Sequence, residues 1–360
     1  MRKIAYVINF IVKGGPSSVV LNMIHNLDRT EYEPILITLF EGNSPAILSK
    51  EREHGLQIIE CNHKSRLQFI LRGLPEYQRI LKDNHIDIVH GHGFVPDVMN
   101  VRLGHAFKTI STAHNIMFED YRLNYGSVKG SIYCKIHLWA MRRLDCVVCC
   151  SKSVYDTMKD YIPGCQYIEN GIEEVKAPCQ VSRADLHIPD DAIVFLYAGV
   201  LNRLKRVPFL IENFVKNHGS KEYLLTLGEG EELERCKAMA DDHVIFVGFQ
   251  RNPYQYMAIS DIYAYASASS SEGFSISVLE ALQHGLGLFL SDIPSHREVL
   301  EGAEDIYLGE YFSTTNFAEK YETLIKNDSM LNSLEIKTYQ SKRLSATAMM
   351  ISYMQQYECL

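Results

Sequence analysis

Short apolar runs alternate with longer segments of helical period along the whole chain, and they do so in two series. Runs at 4–10, 34–40, 86–89, 109–113 and 146–150 make up the first; runs at 194–198, 223–227, 244–247, 262–266 and 286–291 make up the second. A strand that is apolar at nearly every position is buried on both faces, as in a parallel sheet covered by helices. Two series of this kind predict two α/β domains, each Rossmann-like. Length agrees, because 360 residues exceed what a single hydrophobic core usually serves. Open parallel sheets bind ligands beyond the carboxyl ends of their strands, so two domains facing each other across a cleft are expected, with functional residues on both sides. Asn170-Gly171, Pro178 and a polar stretch to Pro189 bring a composition shift with breakers, which sets the boundary near 171–190.

Composition narrows the partners. Apolar residues make up 46% and charged residues 22%, the profile of a globular chain. The net charge of -8 is unevenly shared: residues 1–170 hold 20 Lys+Arg against 17 Asp+Glu, and residues 171–360 hold 16 against 27, so the parts carry about +3 and -11. A nucleic-acid binder needs a clustered basic field, so nucleic acid is not expected as a partner. Nine cysteines fall without regular spacing, and Cys146, Cys149 and Cys150 sit in an apolar run, which favours buried reduced thiols over a metal or redox site. Asn9 interrupts the first apolar run and Lys13-Gly14-Gly15 closes it, so it reads as a first strand and not as a signal peptide. No stretch approaches the ~20 apolar residues that span a bilayer. A cytoplasmic location is the expectation.

Three glycine-containing segments could hold phosphate. After the first strand, Gly14 and Gly15 allow a tight turn and Ser17 or Ser18 can cap the following helix, whose free amides attract anions; an ordinary strand-to-helix turn is the alternative. Gly228-Glu229-Gly230 resembles the start of a dinucleotide fingerprint, but Leu233 stands where the third glycine belongs and three acids crowd the anion site. The third segment is the most informative. Glu272 follows the run at 262–266 at the mouth of a strand-to-helix loop, the amides of Gly273, Phe274 and Ser275 are expected to open a helix, and Glu280 lies about two turns further on. Eight helical residues rise about 12 Å, whereas hydrolytic carboxylate pairs sit at most about 9.5 Å apart. Two separate hydrogen-bonding roles fit better, one carboxylate on a transferred sugar and one on a ribose.

With Gly273-Phe274 between them, Glu272 and Glu280 resemble the Glu-x7-Glu signature of glycosyltransferase family 4, retaining enzymes of the two-Rossmann GT-B architecture. The likeness continues through Gly14-Gly15, His90-Gly91-His92, Thr112-Ala113-His114, Gly199 with Lys205, Gly230, Gly248, and Ser291-Asp292 with Glu298. It implies that Glu272 touches the donor sugar, Glu280 the ribose and Lys205 the diphosphate. It also implies that Gly15, Gly273, Phe274 and Ser275 offer amides to the donor, that His114 sits near the reacting sugar and that Gly248 lies by the base. The donor is then a nucleotide diphosphate sugar, with UDP as the expected base, and the acceptor a saccharide or lipid-linked glycan in cell-surface polysaccharide or glycolipid synthesis. No metal and no separate cofactor are expected. The implied division is 1–172, 173–337, and a C-terminal helix within 338–360 returning to the first domain. One departure stands out: Val200 replaces an arginine common in the family, which leaves Arg203 or Arg206 to replace it.

Two basic amphipathic stretches, 64–82 and 129–143, mark the first domain; the second carries Ile132, Tyr133, Ile136, Leu138 and Trp139, the only tryptophan. Such a helix either lies on a membrane interface or packs as an ordinary core helix with a solvated face. The rival functions are a nucleotide-sugar epimerase or phosphorylase of similar fold, and a non-catalytic partner subunit.

Overall fold

The structure is a computed structural model and describes residues 1–174, 180–267, 272–302, 309–327, 337–339 and 342–360. Part of the expected interdomain linker and residues Ser269, Ser270 and Ser271 of the Glu272 loop lie outside the described residues. The chain divides into two units. Met1–Gly171 with Ala346–Leu360 form the first, and Ile172–Ser345 form the second.

The first unit is built on β1 (Arg2–Ile8), β2 (Tyr32–Phe40), β3 (Gln57–His63), β4 (Ile88–His92), β5 (Lys108–Ala113), β6 (Cys146–Cys149) and β7 (Gln166–Tyr167). They pair in parallel in the order β3-β2-β1-β4-β5-β6-β7. Ala5 faces Ile35 on one side and Val89 on the other, and all three are fully buried. The second unit uses β8 (Ile193–Ala198), β9 (Glu222–Leu227), β10 (Val244–Gly248), β11 (Ile262–Tyr265), β12 (Gly287–Ser291) and β13 (Gly309–Phe312), again all parallel, in the order β10-β9-β8-β11-β12-β13. Both units are Rossmann-like. The helices named below are α1 (Gly15–Asn26), α2 (Phe94–Asn100), α3 (Met117–Tyr125), α4 (Ser127–Met141), α5 (Val207–Asn217), α6 (Ile276–Gln283), α7 (Pro294–Val299) and α8 (Ala346–Cys359).

Each sheet reverses its winding once, between β1 and β4 in the first unit and between β8 and β11 in the second. Loops that leave neighbouring strands on opposite faces part there and open a crevice at the strands' carboxyl ends. Three strands escape the sequence reading: β3, β7 and β13. All three lie at sheet edges. An edge strand has one neighbour and a half-exposed surface, as in β3, so it need not be a continuous apolar run. The described cysteines are free thiols, and burial pushes those of Cys149 and Cys165 up, away from reactivity.

The last helix, α8, packs within the first unit beside α1. Tyr353 and Tyr357 from it are fully buried and reach Thr112 and His90.

Candidate functional site

In the second unit the loops flanking the winding reversal carry the two residues the sequence singles out most strongly. Lys205, in the loop after β8, donates to Glu272, in the loop after β11: Nζ to Oε2 is 2.6 Å, with both side chains largely buried. Lys205 lies over the ring of Tyr265, 5.0 Å from its centroid, and Tyr265 Oη is 3.4 Å from Glu272 Oε1. Ser267 donates to Glu272 Oε2 at 3.2 Å. Burial by itself would raise the Glu272 pKa, but the charge and hydrogen bond of Lys205, with smaller help from the Ser267 hydroxyl, win and hold the carboxyl below the usual range. The carboxylate is thus ionised at neutral pH. An anionic ligand would compete with it for Lys205, and hydroxyl donors would find a ready acceptor.

The segment that follows differs from the expected helix opening. Ser275 takes extended backbone as the N-cap and α6 starts at Ile276, so Gly273 and Phe274 precede the helix and Glu272 stands off its end. The helical-rise estimate for the Glu272–Glu280 spacing therefore does not apply to this geometry. Gly273, Phe274 and Ser275 are buried. Glu280 lies on α6, where Tyr254 donates to its Oε1 at 2.8 Å and stacks on His284 with ring centroids 5.3 Å apart. Gly248 ends β10 with φ 75° and accepts from the Gly228 N–H at 2.9 Å.

Gly228 and Gly230 serve packing. A Cβ on Gly228 would lie 1.9 Å from the Gly199 carbonyl oxygen, and one on Gly230 would lie 2.2 Å from that of Leu201. The two glycines let the loop after β9 press backbone to backbone on the loop that leads to Lys205, where Leu201 N–H donates to the Glu229 carbonyl at 2.9 Å. Neither candidate arginine joins the Lys205–Glu272 pair. The Arg203 side chain is 85% exposed and sits 3.5 Å from Glu232, while Arg206 covers Phe209 at the start of α5. Val200, at the position of the family's arginine, is 58% exposed.

In the first unit, His114 follows β5 and its Nε2 lies 3.0 Å from His92 Nδ1. His90, His92 and His114 form a stack with centroids 4.3 and 5.2 Å apart. Burial drives all three down, His90 to about 3, His114 to about 4 and His92 well below the ordinary value, with like charge from neighbouring histidines adding to the effect on His90 and His92. The stack is neutral at pH 7. His90 is structural: its ring nitrogens lie 2.8 Å from Tyr357 Oη and 2.8 Å from Thr112 Oγ1. In the loop after β1, at the winding reversal, Gly15 begins α1 after Gly14. Neither serine caps the helix through its side chain; Ser17 Oγ instead accepts from the Val12 N–H at 3.2 Å. Among the described residues no group of three or more His, Cys, Asp or Glu is placed to hold a metal ion.

Both halves of the chain match known families. Residues 13–175 match Glycosyltransferase Family 4, and residues 180–341 match Glycosyl transferases group 1. This chain belongs to the family 4 type of glycosyltransferases. It is 28% identical over 318 residues to the O-antigen biosynthesis glycosyltransferase WclY of Escherichia coli, covering 83% of this chain and 82% of that one. A shorter stretch of 115 residues is 32% identical to the lipopolysaccharide 1,6-galactosyltransferase of Salmonella typhimurium, covering 29% of this chain and 32% of that one. Among solved structures, Anabaena HepE in complex with UDP and glucose superposes with a TM-score of 0.80 at 15% identity, covering all of both chains. In this glycosyltransferase Tyr254, Tyr265, Ser267 and His296 are site neighbours that sequence reasoning missed. Single Tyr, Ser and His residues beyond a motif carry no spacing signal, and only the folded loops bring them to Glu272 and Glu280.

Proposed function

We propose that this glycosyltransferase takes a hexosyl group from a UDP-sugar, with retention of configuration, and passes it to a saccharide or lipid-linked acceptor in lipopolysaccharide- or O-antigen-type synthesis. The single observation that carries the donor reading is the largely buried Lys205–Glu272 pair, 2.6 Å long, at the winding reversal of the second sheet. Lys205 takes the diphosphate charge as it grows on the leaving group, Glu272 holds hydroxyls of the transferred sugar, and Glu280, aligned by Tyr254, takes the ribose. Gly273, Phe274, Ser275 and Gly15 supply amides, and Gly248 lies by the base. His114, neutral at pH 7, serves the reacting sugar through a hydrogen bond and not through charge. No metal takes part. The UDP and glucose bound by HepE and the O-antigen role of WclY support the choice of donor and pathway.

The test is turnover of a panel of UDP-, GDP- and ADP-sugars, followed by nucleoside diphosphate release and repeated with Lys205→Ala and Glu272→Ala. Release from a UDP-sugar that EDTA leaves unchanged and both substitutions abolish is the expected result. Release that survives both substitutions overturns the site, preference for another base overturns UDP, and an inverted anomeric product, read by NMR, overturns retention.

The lipid-linked acceptor is supported by the surface of the first unit. Residues 121–143 contain Arg122, Lys129, Lys135, Arg142 and Arg143 and no Asp or Glu. On α3 and α4, Leu123, Tyr125, Val128, Ile132, Tyr133, Ile136 and Trp139 are exposed. The hairpin is held firmly: Tyr121 Oη lies 2.6 Å from His137 Nδ1, His137 Nε2 is 2.8 Å from buried Asp97, and a side chain at Gly130 would strike the Tyr121 carbonyl. Exposed apolar side chains interspersed with cations, with acids only in the first turn of α3 at Glu119 and Asp120, suit anionic lipid. Among the described residues no helix is long and apolar enough to cross a membrane, and the contact we propose is peripheral. Phosphatidylglycerol vesicles should shift the emission of Trp139 to the blue, with neutral vesicles and the Ile132→Ser/Ile136→Ser variant giving little shift. Equal response to both vesicle types, or none, overturns this contact.

A further inference from the structure

His296 is fully buried on α7 and has no assigned role in the transfer. Its Nδ1 lies 2.9 Å from the Ser291 carbonyl oxygen and 3.2 Å from Ser291 Oγ. A carbonyl only accepts, so Nδ1 carries the proton and the ring is held as one tautomer. Ser291, at the end of β12, in turn accepts at Oγ from the Ser267 N–H at 3.0 Å, and Ser267 Oγ donates to Glu272 Oε2 at 3.2 Å. On its other side the His296 ring meets Tyr265, centroids 5.5 Å apart, the residue whose ring lies under Lys205 and whose hydroxyl faces Glu272. His296 thus reaches the pair by two routes, a hydrogen-bond chain through Ser291 and Ser267 and a packing contact through Tyr265. Nε2 is buried and finds no hydrogen-bond partner among the described residues. A structural histidine that only filled space would be replaceable by any apolar residue; one that fixes a tautomer and a loop would not.

We propose that His296 is a positioning residue for the donor-sugar site, holding Ser267 and Tyr265 in the places from which they orient Glu272 and Lys205. This rests on the reading of Lys205–Glu272 as the donor site. The ring is neutral at working pH, since burial pushes its pKa down to about 4, so it adds no second cation beside Lys205. Small displacements of a site group slow a transfer by up to about a hundredfold without abolishing binding of the parts it does not touch.

The experiment compares His296→Leu with His296→Asn in the full chain. Leucine removes the donor to Ser291; asparagine keeps an N–H close to Nδ1. The leucine variant should lower kcat for the UDP-sugar by about tenfold to a hundredfold while UDP affinity, measured calorimetrically, stays within about twofold, and asparagine should restore most of kcat. Wild-type kcat in a folded leucine variant, an asparagine variant no better than leucine, or a parallel loss of UDP binding overturns the proposal. A double-mutant cycle with Glu272→Gln, read on urea unfolding, tests the same linkage without any donor: the two substitutions should be non-additive, and strictly additive effects overturn the proposal. Failure of the donor-site reading looks different, because Lys205→Ala and Glu272→Ala would then leave turnover intact whatever His296 does.

Discussion

Tyr357 Oη lies 2.8 Å from His90 Nδ1, and Tyr6 Oη lies 3.1 Å from the same tyrosine hydroxyl, so the last helix of the chain is tied to the first and fourth strands of its first sheet. A buried polar group that loses its partner costs about 1–3 kcal/mol. Tyr357→Phe should therefore destabilise the first unit by that order without touching donor chemistry. Chemical denaturation followed by near-ultraviolet dichroism, alongside turnover, checks both halves of the expectation.

The neutral histidine stack makes the first unit acid-labile. Unfolded histidines take up protons near 6.5, whereas His90 and His114 resist protonation until about 3 and 4 in the fold. The stability this confers is complete above the unfolded pKa and is lost as pH falls toward the folded value, at a cost on the order of 3 kcal/mol per histidine by pH 4. Thermal melts between pH 7 and 4 should show a steep decline that His114→Gln flattens. A melting temperature constant over that range would contradict the buried, neutral stack.

Gly228 has φ 127°, and a Cβ there would lie 1.9 Å from the Gly199 carbonyl oxygen. Backbone cannot yield as a side chain end does, so Gly228→Ala should cost at least about 3 kcal/mol and displace the loop that carries Lys205. A melt of the variant, with turnover measured well below its midpoint, should show both losses.

Tyr254 aligns Glu280 at 2.8 Å, far along α6 from Glu272. Tyr254→Phe should raise the donor KM roughly fivefold to tenfold with kcat nearly unchanged, the pattern for a lost contact shared by ground and transition states. Steady-state kinetics decide it; an equal fall in kcat would instead place Tyr254 in the chemistry.

Glu272 is ionised because Lys205 overcomes its burial. A depressed carboxyl contributes stability above the unfolded carboxyl pKa, and loses it as pH falls through the folded one. Glu272→Gln should thus reduce the acid sensitivity of the second unit, while leaving Lys205 buried beside an uncharged partner and lowering stability at pH 7. Melts of both proteins at pH 7 and pH 4 check the sign.

The sequence by itself determined the two α/β series and their parallel sheets, because double-sided burial writes continuous apolar runs, and its likeness to a family motif singled out Lys205 and Glu272 one by one; that the two pair is known only from the fold. It could not show β3, β7 or β13, whose edge positions relax that burial. Nor could it show that Ser275 precedes the helix as its extended N-cap, that Gly228 and Gly230 serve a loop-to-loop contact, or that Arg203 turns to Glu232. Those outcomes depend on which loop packs on which. Tertiary structure alone decided the partners of Glu272: Lys205 comes from the loop after β8, Tyr265 and Ser267 from the end of β11, and Ser291 with His296 from the end of β12 and from α7, and contacts between elements so separated leave no periodicity along the chain.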